Sequence, residues 1–177
     1  MRMLVKLLGA LVVLVLLLAA GAFLLPREVS VARSITVAVP PATLFPQVNS
    51  LQNLNTWSPW AAKDPAMKVT YEGPAEGVGA KMSWTSEVAE VGSGTQEIIE
   101  STQDERVVSS LVFGNMPPSK AYFDLEADGT GTTITWTLAV DMGMNPVGRW
   151  MGLMMDKWVG VDFDKGLAKL KAKAEGA

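Results

Sequence analysis

Hydrophobic and polar positions change their rhythm twice along the chain. From Leu4 to Leu25 the only charge is Lys6, and Leu7–Leu25 is a run of 19 residues with none. At about 1.5 Å per helical residue, such a run is long enough to cross a hydrocarbon layer of roughly 30 Å. Beyond it the pattern alternates. Val31, Arg33, Ile35, Val37 and Val39 fall on one side of a strand over 30–39, which Pro40-Pro41 ends. Pro41 suits the first turn of a short helix carrying Leu44, Phe45 and Val48, and SLQNLNTW predicts a second with Ser50 as its cap.

From Met67 to about residue 140 the alternation continues in strand-length pieces. Met67, Val69 and Tyr71 alternate, as do Ala80, Met82 and Trp84, and TQEIIEST, RVVSSLVF, KAYFDLEA and TTITWTLAV follow between turn signals. Six strands joined by short turns predict an antiparallel meander whose one apolar face needs a cover. The third rhythm supplies it. After Asn145-Pro146, a cap and first-turn pair, residues 146–175 contain apolar positions at helical spacing. Gly148, Gly152, Gly160 and Gly166 each weaken that helix by roughly 1 kcal/mol, which predicts a break near 152–156. The fold class is therefore α+β: a strand, two short helices, six strands and a long C-terminal helix, preceded by one transmembrane helix.

Residues 1–26 read as an uncleaved anchor. The competing reading is a signal sequence, because Ala20-Gly21-Ala22 has small residues suited to cleavage, yet the apolar run outlasts the 7–15 residues of a usual signal core. Arg2, Lys6 and the amino terminus precede the span and outweigh the basic residues just after it, which favours a cytoplasmic N-terminus. Residues 27–177 would then form an extracytoplasmic domain, on the periplasmic side of a single-pass membrane protein. Removing Arg2 and Lys6 from the count leaves 13 basic residues against 18 acidic ones, so nucleic acid is a poor partner. The lysines after 164 alternate with acids on a helical pattern and read as a solvated face. Oligomeric state is not legible.

The absence of both histidine and cysteine removes the commonest general base, the thiol nucleophile and the best zinc ligands. DFDKG at 162–166 lacks the ligand spacing of a calcium loop, and EGPAEGVGA lacks the lysine and following helix of a phosphate loop. No metal, cofactor or catalytic residue is expected. The aromatic and sulfur-bearing residues are more informative. Trp84 shares strand parity with Met82, and Trp136 with Ile134 and Leu138, so these rings should face the helix. Trp158 is expected to meet them from the helix, and Trp57 and Trp60, turned by Pro59, to close one end of the space.

Four stretches together resemble the SRPBCC superfamily of START-like, helix-grip proteins, in its polyketide cyclase/dehydrase branch: residues 31–84, DERVVSSLVF, GTTITWTL and MDKWVGVDFDKGLAKLKA. The resemblance covers about residues 29–175. It implies a seven-stranded antiparallel sheet gripping the C-terminal helix around an apolar cavity, with Gly77 and Gly79 in a mobile rim loop. The expected ligand-binding residues are then Trp57, Trp60, Tyr71, Met82, Trp84 and Phe113, with Phe123, Trp136, Met151, Met154, Met155 and Trp158. The competing reading of the rings is a solid core. The function expected is a membrane-anchored binding protein for a hydrophobic or amphipathic small molecule, lipid-like or aromatic. The alternatives are a cyclase- or dehydrase-like enzyme and an interaction module without a ligand.

Overall fold

A computed structural model describes residues 2–114 and 116–176. The apolar run forms α1 (Arg2–Ala22), followed by β1 (Glu28–Val37). Four short helices come next, where two were expected: α2 (Pro41–Leu44), α3 (Pro46–Asn49), α4 (Leu51–Trp57) and α5 (Pro59–Lys63). Three of them begin on a proline, whose fixed φ suits the first helical position and whose missing N–H is not needed there. Ser50 precedes α4 but does not cap it with its side chain, donating instead to the Ala75 carbonyl at 3.1 Å.

Six more strands follow: β2 (Lys68–Glu72), β3 (Lys81–Thr85), β4 (Ser93–Thr102), β5 (Arg106–Phe113), β6 (Ser119–Asp128) and β7 (Gly131–Asp141). All neighbours are antiparallel, in the order β1-β7-β6-β5-β4-β3-β2. Register places Arg33, Trp136, Phe123 and Val107 in one row across the inner face, and Met82, Gln96 and Leu111 in another. The loop between β2 and β3 is tied down, with the Gly77 N–H donating to Asn49 O and the Gly79 N–H to Ile98 O, each at 2.9 Å.

The chain closes with α6 (Pro146–Ala174), capped by Asn145, whose side chain accepts from the N–H groups of Val147 and Gly148. The break expected near 152–156 does not occur, because the glycines are contact points. A Cβ at Gly152 would lie 2.8 Å from Val29 Cγ2, one at Gly166 3.0 Å from the Trp136 ring, and one at Gly160 would run into the Arg33 guanidinium. What Gly152, Gly160 and Gly166 cost in helix propensity is offset by the close approach of α6 to Val29 and Arg33 on β1, the Trp136 ring on β7 and Pro59, whereas Gly148 meets only its own cap residue Asn145. Arg33 crosses over Gly160 and pairs with Asp156 at 2.8 Å and Asp164 at 3.4 Å, binding the edge strand to the helix.

Candidate functional site

The rings divide into two groups on the inner face. Trp57 is fully buried, donates its indole N–H to the Gln47 carbonyl at 3.1 Å, and meets Phe123 and Trp136 edge-on with centroids 5.9 and 5.5 Å apart. Half-buried Trp60 meets Trp136 and Phe163 edge-on, and Trp136 stacks on Phe163 at 3.9 Å. Each such pair is worth about 0.5–1.5 kcal/mol beyond its buried area. The Ser-Pro step sets this up: Ser58 leaves the helical region at ψ 132°, Pro59 starts α5, and the two tryptophans converge on one partner ring from successive helices. At this end the space between sheet and helix is filled.

The second group lies further along the sheet. Trp84 and Phe113 meet edge-on at 5.5 Å, above Gly94, where a Cβ would come within 2.6 Å of the Trp84 ring. Gly94 is a strand residue that lets the indole lie flat across β4. Met82 is buried beside this pair's row, while Phe113, Leu111, Val140 and Met155 are half-buried. Here polar side chains also enter the inner face. Gln96 is buried opposite Leu111, and Ser109, 1% exposed, sits opposite Ala121. The Ser109 hydroxyl has no hydrogen-bond partner, nor does the Trp136 indole N–H. A buried polar atom left unpaired costs about 1–3 kcal/mol, so two on one face require a reason.

The remaining expected residues stand elsewhere. Tyr71 is exposed and lines a hollow of about 200 Å³ with Leu51, Gln52, Gly73 and Lys81. Partial burial raises its phenol pKa above the ordinary value. A broader hollow of about 1040 Å³ lies over the outer face, beside Glu100, Arg106, Asp124 and Thr135. Met151, Met154 and Trp158 do not face the sheet; Trp158 is 52% exposed on the opposite side of α6. The buried face of that helix is taken by Phe163, Gly166, Leu167 and Leu170, and a residue at position 158 falls on the other side of the cylinder.

Sequence reasoning missed Gln96 and Ser109. Their signal was parity: Gln96 shares a side with Ile98, and Ser109 with Val107 and Leu111, so polar residues occupy two positions of an otherwise apolar stripe. Two sets of ion pairs tie α6 to its neighbours, Lys63 with Asp162 at 2.5 Å and Arg33 with Asp156 and Asp164.

Residues 28–175 match the family model described as polyketide cyclase/dehydrase and lipid transport. The chain belongs to that family. No protein of curated function matches it in sequence. Among solved structures, it is similar to a protein from Thermobifida fusca at TM-score 0.63 and 18% identity, covering 82% of this chain and 92% of that one. A protein from Thermus thermophilus is similar at TM-score 0.60 and 16% identity, covering 82% and 96%. The Aha1 dimer from Colwellia psychrerythraea is similar at TM-score 0.55 and 18% identity, covering 83% and 96%. At these identities the likeness shows the helix-grip fold alone.

Proposed function

We propose that this polyketide cyclase/dehydrase and lipid transport family member is a membrane-anchored binding protein for an amphipathic small molecule. The observation that carries the reading is the inner face around Trp84, Phe113 and Leu111. It is an apolar wall interrupted by a carboxamide, Gln96, and an unpartnered hydroxyl, Ser109, the mixture by which pockets hold and orient amphiphiles. Neither polar group titrates near neutral pH, which favours binding over acid–base chemistry. Half-buried Leu111, Phe113 and Val140 mark the side by which a ligand enters. Residues 1–26 hold the domain at the bilayer. Support for that role comes from α1, 21 residues long and apolar enough to cross a membrane.

The test uses the full chain in detergent and a fluorescent fatty acid as probe. Ser109→Ala should leave stability unchanged or slightly raised, since it removes an unpaired buried hydroxyl, while weakening probe uptake by about tenfold, the worth of roughly one hydrogen bond. Wild-type protein that neither co-purifies with an extractable amphiphile nor takes up the probe saturably would sink the reading. Ser109→Ala with lowered stability and unchanged uptake would place the hydroxyl in the core instead.

A further inference from the structure

The first half of α6 has an apolar stripe on the side that faces away from the sheet. Val147, Met151, Met154, Trp158 and Val161 recur at intervals of four, three, four and three residues, and they are 64, 51, 39, 52 and 49% exposed. A spacing of that kind keeps side chains on one face of a helix. Past Val161 the same face turns polar, continuing to Lys165, Ala168 and Lys169. Exposed apolar stripes of this size on a soluble domain mark a contact surface.

Two observations say what covers it. The stripe starts where α6 meets the anchor: the Trp150 indole N–H donates to the Leu18 carbonyl at 3.0 Å, and its ring lies 3.7 Å from a Cβ placed on Gly21. Leu18 belongs to the apolar span, so Trp150 stands at the depth of the membrane interface, the level that tryptophan favours. Secondly, the segment is cleared of free charge. From Met142 to Met155 the one charged residue is Arg149, and it is 8% exposed, with its guanidinium donating to the carbonyls of Gly143, Phe23 and Leu25. Within the rest of the segment Asp156 is paired with Arg33 and Lys157 stands beside the stripe, outside its row. A helix that is apolar on its outer side, free of exposed charge over its first ten residues and joined to a bilayer span has the makings of an interfacial segment.

We infer that the Val147–Val161 face of α6 lies in the interfacial layer of the same bilayer that holds α1. The inference rests on the reading of α1 as a membrane span. It gives the domain a second membrane contact besides the anchor.

The chain has no cysteine, so single labelling sites can be introduced without background. Nitroxide labels on Met154→Cys, Lys169→Cys and Leu14→Cys in the full chain, reconstituted in phosphatidylcholine–phosphatidylglycerol vesicles, report collision with oxygen against a water-soluble nickel chelate. Met154 should show an oxygen-to-nickel ratio several-fold above that of Lys169 and approaching that of Leu14. A Met154 ratio equal to that of Lys169, with Leu14 in hydrocarbon, would overturn the inference and leave the anchor standing. A Leu14 ratio equal to that of Lys169 would overturn both. Dipolar broadening at Met154 that vanishes on dilution with unlabelled protein would assign the stripe to a second copy of the chain and overturn the membrane reading.

Discussion

The two halves of α6 are one continuous helix with opposite relations to water. In the second half Phe163, Leu167 and Leu170 point inward and are almost fully buried, and the outer face is lysine and alanine. In the first half the buried apolar positions are Gly152 and Gly160, Met155 and Val159 are half-buried against the core, and Val147, Met151, Met154, Trp158 and Val161 point outward. The second half is a core element like any amphipathic helix. The first half is clamped by close backbone approach and by Arg33, which leaves its large side chains for another medium. Apolar residues at helical spacing therefore state that a helix is amphipathic without stating which solvent its apolar side meets.

The sharpest way to break this comparison is to truncate one residue in each half. Phe163→Ala should cost about 3–5 kcal/mol, since the stacked Trp136 and edge-on Trp60 lose their partner in a filled interior. Urea unfolding in a fixed detergent measures it; a cost under about 1 kcal/mol would mean that the interior collapses freely. Next comes the glycine clamp. Gly160→Ala gains about 1 kcal/mol of helix propensity but displaces Arg33 from Asp156 and Asp164, so a net loss of about 1 kcal/mol is expected. In an Arg33→Ala background the same change should stabilise, and an unchanged sign would show that Arg33 is not what Gly160 accommodates.

Trp158→Ala should shift unfolding by no more than about 0.5 kcal/mol, the usual range for an exposed position. A loss comparable to that of Phe163→Ala would erase the contrast between the halves. The smallest effect is at the junction below. Asp141 is held at about 2 by the hydrogen bond from Arg27, aided by the Gly143 N–H. Its pKa is lowered by folding, so its contribution is complete above the ordinary aspartate value and fades as pH falls through about 2. Melting temperature followed from pH 5 to 2 should fall less steeply in Asp141→Asn than in wild type, and parallel curves would count against the pairing.

The strands, the meander of the last six and the closing helix were readable because each carries a period of two or of 3.6 over many residues and short turns join the six, whereas the place of β1 beside β7 depends on a long-range pairing. Positions whose meaning depends on a distant partner were not. Gly152, Gly160 and Gly166 look like helix breakers until Val29, Arg33 and Trp136 are seen against them. Trp57 and Trp60 were legible as a pair near one end, but their convergence on Trp136 depends on the angle between α4 and α5. Arg149 gave no signal at all, because two of its three partner carbonyls, those of Phe23 and Leu25, lie more than a hundred residues away and the third, Gly143, is in a turn that precedes the helix.

That arginine sets the mechanics of the junction. Ala22 ends α1 and Glu28 begins β1, while Arg149 holds the Phe23 and Leu25 carbonyls and the Met142 N–H bonds Arg27 O at 2.9 Å. Every second residue between anchor and sheet is thus fixed, so the tether has no slack. A domain of about 150 residues has a radius of gyration near 15 Å. If α1 is the anchor proposed above, a domain mounted without slack would not swing across an aqueous gap wider than its own diameter, and it would search a plane by lateral diffusion instead of sampling a volume. On the proposed reading of the chain as an anchored binding protein, its cargo would come from its own leaflet or be delivered within touching distance, which suits a station that receives and presents molecules better than a shuttle between membranes.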